Sequence, residues 1–169
     1  DPPRGRPAVL VAAPHTSNWD FFLMLAMAWD NGLSVRWLGK KQLFRGPMGP
    51  VMRALGGLEV DRDAPGDIVG KLAGEFGDDA STHLVVPVEG TRSKGEYWKS
   101  GFYRIAREAN VPIVIGTMDY RHRRVGFGPA LDPAQNLSNL LGQIRDFLAD
   151  VTPRHPARFS PPKPPSDAQ

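Results

Sequence analysis

The stretch HTSNWD, residues 15–20, sets an imidazole and a carboxylate five positions apart. A histidine braced by a carboxylate is a general base. The carboxylate fixes the ring tautomer and stabilises the imidazolium formed when the other nitrogen takes a proton. Five positions do not share a helix face: at about 100° per residue the two side chains point roughly 140° apart. They meet only if His15 precedes a helix and Asp20 sits in its first turns. A plainer reading makes Asp20 a carboxylate favouring a helix N-terminus and His15 a loop residue.

A second group of chemical residues lies in EGTRS, residues 89–93. Gly90 permits close backbone approach, and N–H groups in a turn after a strand can hold an oxyanion or phosphate. Arg92 offers a planar fork for phosphate. Glu89 would order that arginine or touch a substrate hydroxyl. An exposed charged turn is the ordinary alternative. Arg62 also follows an apolar run and could supply a second arginine.

Lys40, Lys41, Arg45 and Arg53 alternate with Leu43, Phe44, Met48 and Met52, a composition that suits a basic, apolar membrane-facing surface or a core helix with a charged rim. Met24, Met27 and Trp29 are expected in the core rather than in an acyl-chain pocket, though one helix can do both.

Other chemistries lack their patterns. GDIVGK, residues 66–71, is one residue short of a phosphate-binding P-loop and lacks its Ser or Thr. There is no G-x-S-x-G and no G-x-G-x-x-G. The four histidines are scattered, so no metal is expected. Without cysteine there is no thiol nucleophile and no disulfide, which fits a reducing compartment. Net charge is +3, mildly basic and suited to phosphates or an acidic lipid surface. Arg121 to Arg124 is basic, but no nucleic-acid module surrounds it, and no nucleic-acid partner is expected. The longest apolar run, Phe21 to Trp29, is too short for a bilayer span of about 20 residues. DPPRGRP at the start is not read as a signal peptide.

The elements that must position these residues follow from periodicity. Apolar runs at 8–13, 34–39, 58–62, 82–90 and 111–120 read as strands, with a short edge strand at 123–128. Helices are expected from Ser17 or Asn18 to Trp29, over 48–55 and 67–76, over 101–109 capped by Ser100, and over 137–151. This alternation predicts an α/β fold: one domain, 1–152, with a mostly parallel or mixed β-sheet flanked by α-helices. Residues 153–169 are proline-rich and expected to be an extended tail. Ligands in such sheets gather at the carboxyl ends of strands, and both HTSNWD and EGTRS follow predicted strands.

Taken in order, HTSNWD, LFRGPMG…GGLEVDR, VPVEGTRS and VPIVIG resemble the four sequence blocks of the glycerolipid acyltransferase family, which includes lysophosphatidic acid acyltransferases. The likeness covers roughly residues 8–120. Val88 stands between Pro87 and Glu89 where the family has Pro-Glu, and Ile115 stands where a second proline is usual.

The resemblance implies transfer of a fatty acyl group from acyl-CoA or acyl carrier protein to the hydroxyl of a phosphorylated glycerolipid acceptor, without a cofactor. His15 would be the base and Asp20 its partner. Arg62 would match the second block, and Glu89, Gly90, Thr91 and Arg92 the third, with the arginines holding the acceptor's phosphate. The protein would be cytoplasmic, resting on the inner face of the membrane. Thioester or ester hydrolysis at the same site and non-catalytic lipid binding are the alternatives.

Overall fold

The computed structural model describes residues 5–60, 68–76, 82–88 and 97–163. Its first strand, β1 (Ala8–Ala12), is buried on both faces, as expected of an unbroken apolar run in a parallel sheet. Next come helix α1 (Trp19–Asp30), strand β2 (Ser34–Lys40), a 3₁₀ turn (Lys41–Phe44), helix α2 (Met48–Ala54) and strand β3 (Gly57–Val60). Helix α3 (Ile68–Gly74), strand β4 (Thr82–Pro87), helix α4 (Gly101–Ala109), strand β5 (Ile113–Asp119), strand β6 (Arg124–Leu131), helix α5 (Leu137–Leu148) and a second 3₁₀ turn (Pro156–Arg158) complete the order.

The six strands form one mixed sheet in the order β3-β2-β4-β1-β5-β6. All neighbours are parallel except β5 and β6, a hairpin pair. The fold is therefore the expected α/β domain.

The pleat sorts β1 into two cores. Val9 and Val11 join Phe102, Ile105, Leu140 and Ile144 on the face covered by α3, α4 and α5. Ala8, Leu10 and Ala12 join Met24, Leu25, Trp37 and Phe44 on the face covered by α1 and the 3₁₀ turn.

Register fixes the place of the site. Ala12 lies opposite Pro87 on one side and Gly116 on the other. β1 and β4 thus end side by side, and β5 runs on beyond them in the same direction to Asp119. Lys40 pairs with Val60 in the same sense, so the chain enters the Arg62 segment at the carboxyl edge of the sheet too. At about 4.8 Å per strand, β3 is about 14 Å from β1.

The proline-rich segment is described to Lys163 and lies along the domain rather than away from it. Its carbonyls find donors on the body: Trp98 Nε1 donates to Ser160 O at 2.8 Å and Trp98 N to Lys163 O at 2.9 Å. Phe159 packs on the core beneath α4 and α5. Prolines remove donors, not acceptors, so such a segment, which includes a 3₁₀ turn (Pro156–Arg158), is still held through its carbonyls.

Candidate active site

Ala13 N donates to Gly116 O at 3.1 Å, extending the β1–β5 pairing by one residue before the chain turns. The corner that follows is built around Asp20. Its side chain is 1% exposed. Oδ2 accepts the amides of Thr16 and Ser17, each at 2.8 Å. Oδ1 accepts the Tyr120 hydroxyl at 2.5 Å.

This differs from the capping expected at the helix start. Asn18 occupies the cap position of α1 without a side-chain bond, and Ser17 Oγ accepts Trp19 N at 3.2 Å. Asp20, in the first turn, reaches back to the amides before it and so ties the loop to the helix. The same side chain thus anchors the helix start and lies beside the loop that carries His15.

His15 is half-buried, its side chain 23% exposed, and Nδ1 stands 3.6 Å from Asp20 Oδ2. That distance is beyond a hydrogen bond and within ion-pair reach. One imidazole nitrogen therefore faces a buried carboxylate, and the ring edge reaches solvent.

Tyr120 lies just past β5, outside every residue picked from the sequence. A partly buried phenol favours a partner for its hydroxyl, and here it is Asp20. Burial first, then the carboxylate that accepts its proton, push the phenol up to about 12, with Arg154 pulling the other way. Tyr120 N donates to Thr152 O at 2.9 Å. The Arg154 guanidinium covers both Tyr120 and Trp19, at 5.9 and 6.0 Å from the ring centroids. His155 N donates to Thr16 Oγ1 at 3.2 Å.

The segment after α5 thus straps the His15–Asp20 corner from outside. Beside it Asp119 is held below the usual carboxylate range, chiefly by the His122 ring at 2.6 Å, and its Oδ1 also accepts Thr152 N. The sequence did carry one signal for Tyr120: it is the last residue of a predicted strand, at the edge where ligands gather. No local spacing marked Arg154.

Arg62, Glu89, Gly90, Thr91 and Arg92 lie outside the described residues. Val88, just before Glu89, is buried, and its carbonyl accepts Lys99 N at 3.1 Å. Strand β4 therefore ends directly beside β1, the strand that leads to His15.

Two apolar cavities of about 540 and 220 Å³ share Leu23 and Val125 between α1 and β6. Together they make a groove from Tyr120 to Asn31, walled by Met27, Met118 and Phe127. Met24 and Met27 are buried as expected, but Trp29 is 63% exposed: position 29 falls on the outer stripe with Trp19, Phe22 and Ala26, at spacings of three and four. Among the described residues no cluster of three metal-ligating side chains occurs, and no helix is long and apolar enough to cross a membrane.

A protein-family model described as Acyltransferase matches residues 2–117. No curated protein matches the chain.

Proposed function

The chain belongs to the glycerolipid acyltransferase family, and from that premise we propose that it moves a fatty acyl group from the thioester of coenzyme A or acyl carrier protein to the hydroxyl of a glycerophosphate-type acceptor. The observation that carries this reading is the corner itself: a half-exposed imidazole facing a buried, backbone-anchored carboxylate at the carboxyl edge of the sheet.

The chemistry needs one base. The imidazole nitrogen remote from Asp20 takes the acceptor's hydroxyl proton as the oxygen attacks the thioester carbonyl. The tetrahedral intermediate collapses to the ester and expels the thiolate. The imidazolium returns its proton to that sulfur, leaving a free thiol and a neutral ring. Asp20 stabilises the ring while it is charged. No covalent acyl-enzyme is needed.

Backbone donors for the oxyanion could come from the Gly90 segment or from the helix start after His15. At the helix start, the amides of Thr16, Ser17, Trp19, Asp20 and Phe21 are all engaged within the corner. That favours the Gly90 segment, where a donor is worth about 3 kcal/mol. Arg92 there, with Arg62 from beyond β3, would take the acceptor's phosphate. The groove from Tyr120 to Asn31 suits a fatty acyl chain, being apolar and open along α1.

A membrane surface as the place of work is supported by one face. Trp19, Phe22 and Trp29 on α1, with Leu43, Met48 and Val51 around α2, are exposed. Lys40, Lys41, Arg45 and Arg53 are exposed among them. Aromatic and basic residues together suit an anionic lipid interface.

The test is a panel of acceptors, phosphorylated and not, each offered labelled acyl-CoA and acyl carrier protein. Acceptor-dependent ester is the expected product. Arg62→Ala or Arg92→Ala should raise KM for a phosphorylated acceptor about tenfold or more, the scale of a lost charge-assisted bond. Free fatty acid formed at the same rate with or without acceptor would mean hydrolysis instead. Vesicle binding without turnover would mean a lipid-binding domain.

A further inference from the structure

We propose that Tyr120 is a positioning residue for the His15–Asp20 dyad, held in place by the segment from Thr152 to His155. This rests on the dyad reading above and adds to it a part beyond the family match, which ends at residue 117.

Asp20 has two oxygens with different duties. Oδ2 takes two backbone amides and faces His15 Nδ1. Oδ1 points the other way and takes the phenol at 2.5 Å. With the carboxylate 1% exposed, the phenol stands where water would otherwise sit. It fixes the carboxylate's rotation about its last bond, and hence the direction from which Oδ2 meets the imidazole. It also draws charge toward Oδ1, which tempers how strongly Asp20 holds the imidazolium.

Tyr120 is itself immobilised. Its amide is tied to Thr152 O, and its ring lies under the Arg154 guanidinium, which also covers Trp19. The neighbouring His155 amide is tied to Thr16 Oγ1, one residue from the imidazole. Among the described residues the charged groups near Asp20 and Tyr120 include His15 from the corner, Arg154 from the strap, Arg123 and Arg124, which line a cavity with Tyr120, and the Asp119–His122 pair at the end of β5, which shares Thr152 with Tyr120.

The variant is Tyr120→Phe, which keeps the ring and loses only the donor. Thermal unfolding and circular dichroism confirm the fold. The first readout is the His15 ring titration by NMR, which needs no turnover. Without the phenol the carboxylate keeps more charge for the imidazolium, so His15 should titrate about one pH unit higher. The second is kinetic: kcat about tenfold lower, donor KM little changed, and the acid limb of the rate profile moved up with the ring.

In an Asp20→Asn background the same substitution should have almost no further effect, because the coupling runs through the carboxylate. A His15 titration that stays put in Tyr120→Phe overturns the proposal. Full additivity with Asp20→Asn overturns it as well. Loss of transfer in His15→Ala with wild-type behaviour in Tyr120→Phe leaves the dyad standing and removes Tyr120 from it. An active His15→Ala protein instead removes the dyad, whatever Tyr120 does.

Discussion

At the scale of single residues, the pair at 15 and 20 was legible because its spacing admits one geometry. Only a loop residue and a first-turn residue can meet across that interval, and they do, at 3.6 Å. Tyr120 was not legible in the same way, since it is a hundred positions from its partner and joins it through the pairing of β1 with β5. Its phenol also makes a prediction about pH. The ordinary value of 10.0 is raised to about 12 in the folded protein, so between those values the folded state keeps a proton that the unfolded chain has released. Stability from this group is intact below about pH 10 and is lost as pH climbs toward 12. Chemical unfolding across that range should show a fall in wild type that is shallower in Tyr120→Phe. Parallel curves for the two proteins would remove the linkage.

Among the elements, continuous apolar runs gave β1 and β5 close to their observed bounds, because a strand buried on both faces must be apolar throughout. The edge β6 was readable too, though it extends further than expected, to Leu131. Helix ends were harder. α5 stops at Leu148 rather than Val151, and Ser100 precedes α4 without capping it, since tertiary packing overrides local preference. The turn between α2 and β3 depends on Gly56, at φ +84, where a Cβ would run into the Val35 carbonyl oxygen. Gly56 O also accepts Trp37 N at 3.0 Å. Gly56→Ala should therefore cost about 2 kcal/mol and lower Tm by roughly 4 to 8 °C. An unchanged Tm would mean this turn adopts another conformation in solution.

For the whole molecule, the sheet order explains why distant blocks of sequence converge. β1, β4 and β5 are neighbours although long stretches of chain separate them, and all three run toward the same edge. Apolar periodicity sees each strand alone and does not reveal which strand lies beside which; that follows from packing. The strap formed by residues 152–163 was unreadable for a related reason: its proline content signals extension, while its anchoring depends on Trp98 and Arg145, far back in the chain. The exposed aromatic and basic face on the α1 and α2 side then sets the assay: vesicles of anionic lipid carrying a phosphorylated lysolipid, with labelled acyl donor supplied in solution. Wild type and His15→Ala should bind these vesicles equally, since His15 is not one of the exposed aromatic or basic residues of that face. Only wild type should form the diacyl product at an appreciable rate, with the variant slower by at least about 100-fold. A His15→Ala protein that acylates the acceptor as fast as wild type would contradict the base on which the whole account stands.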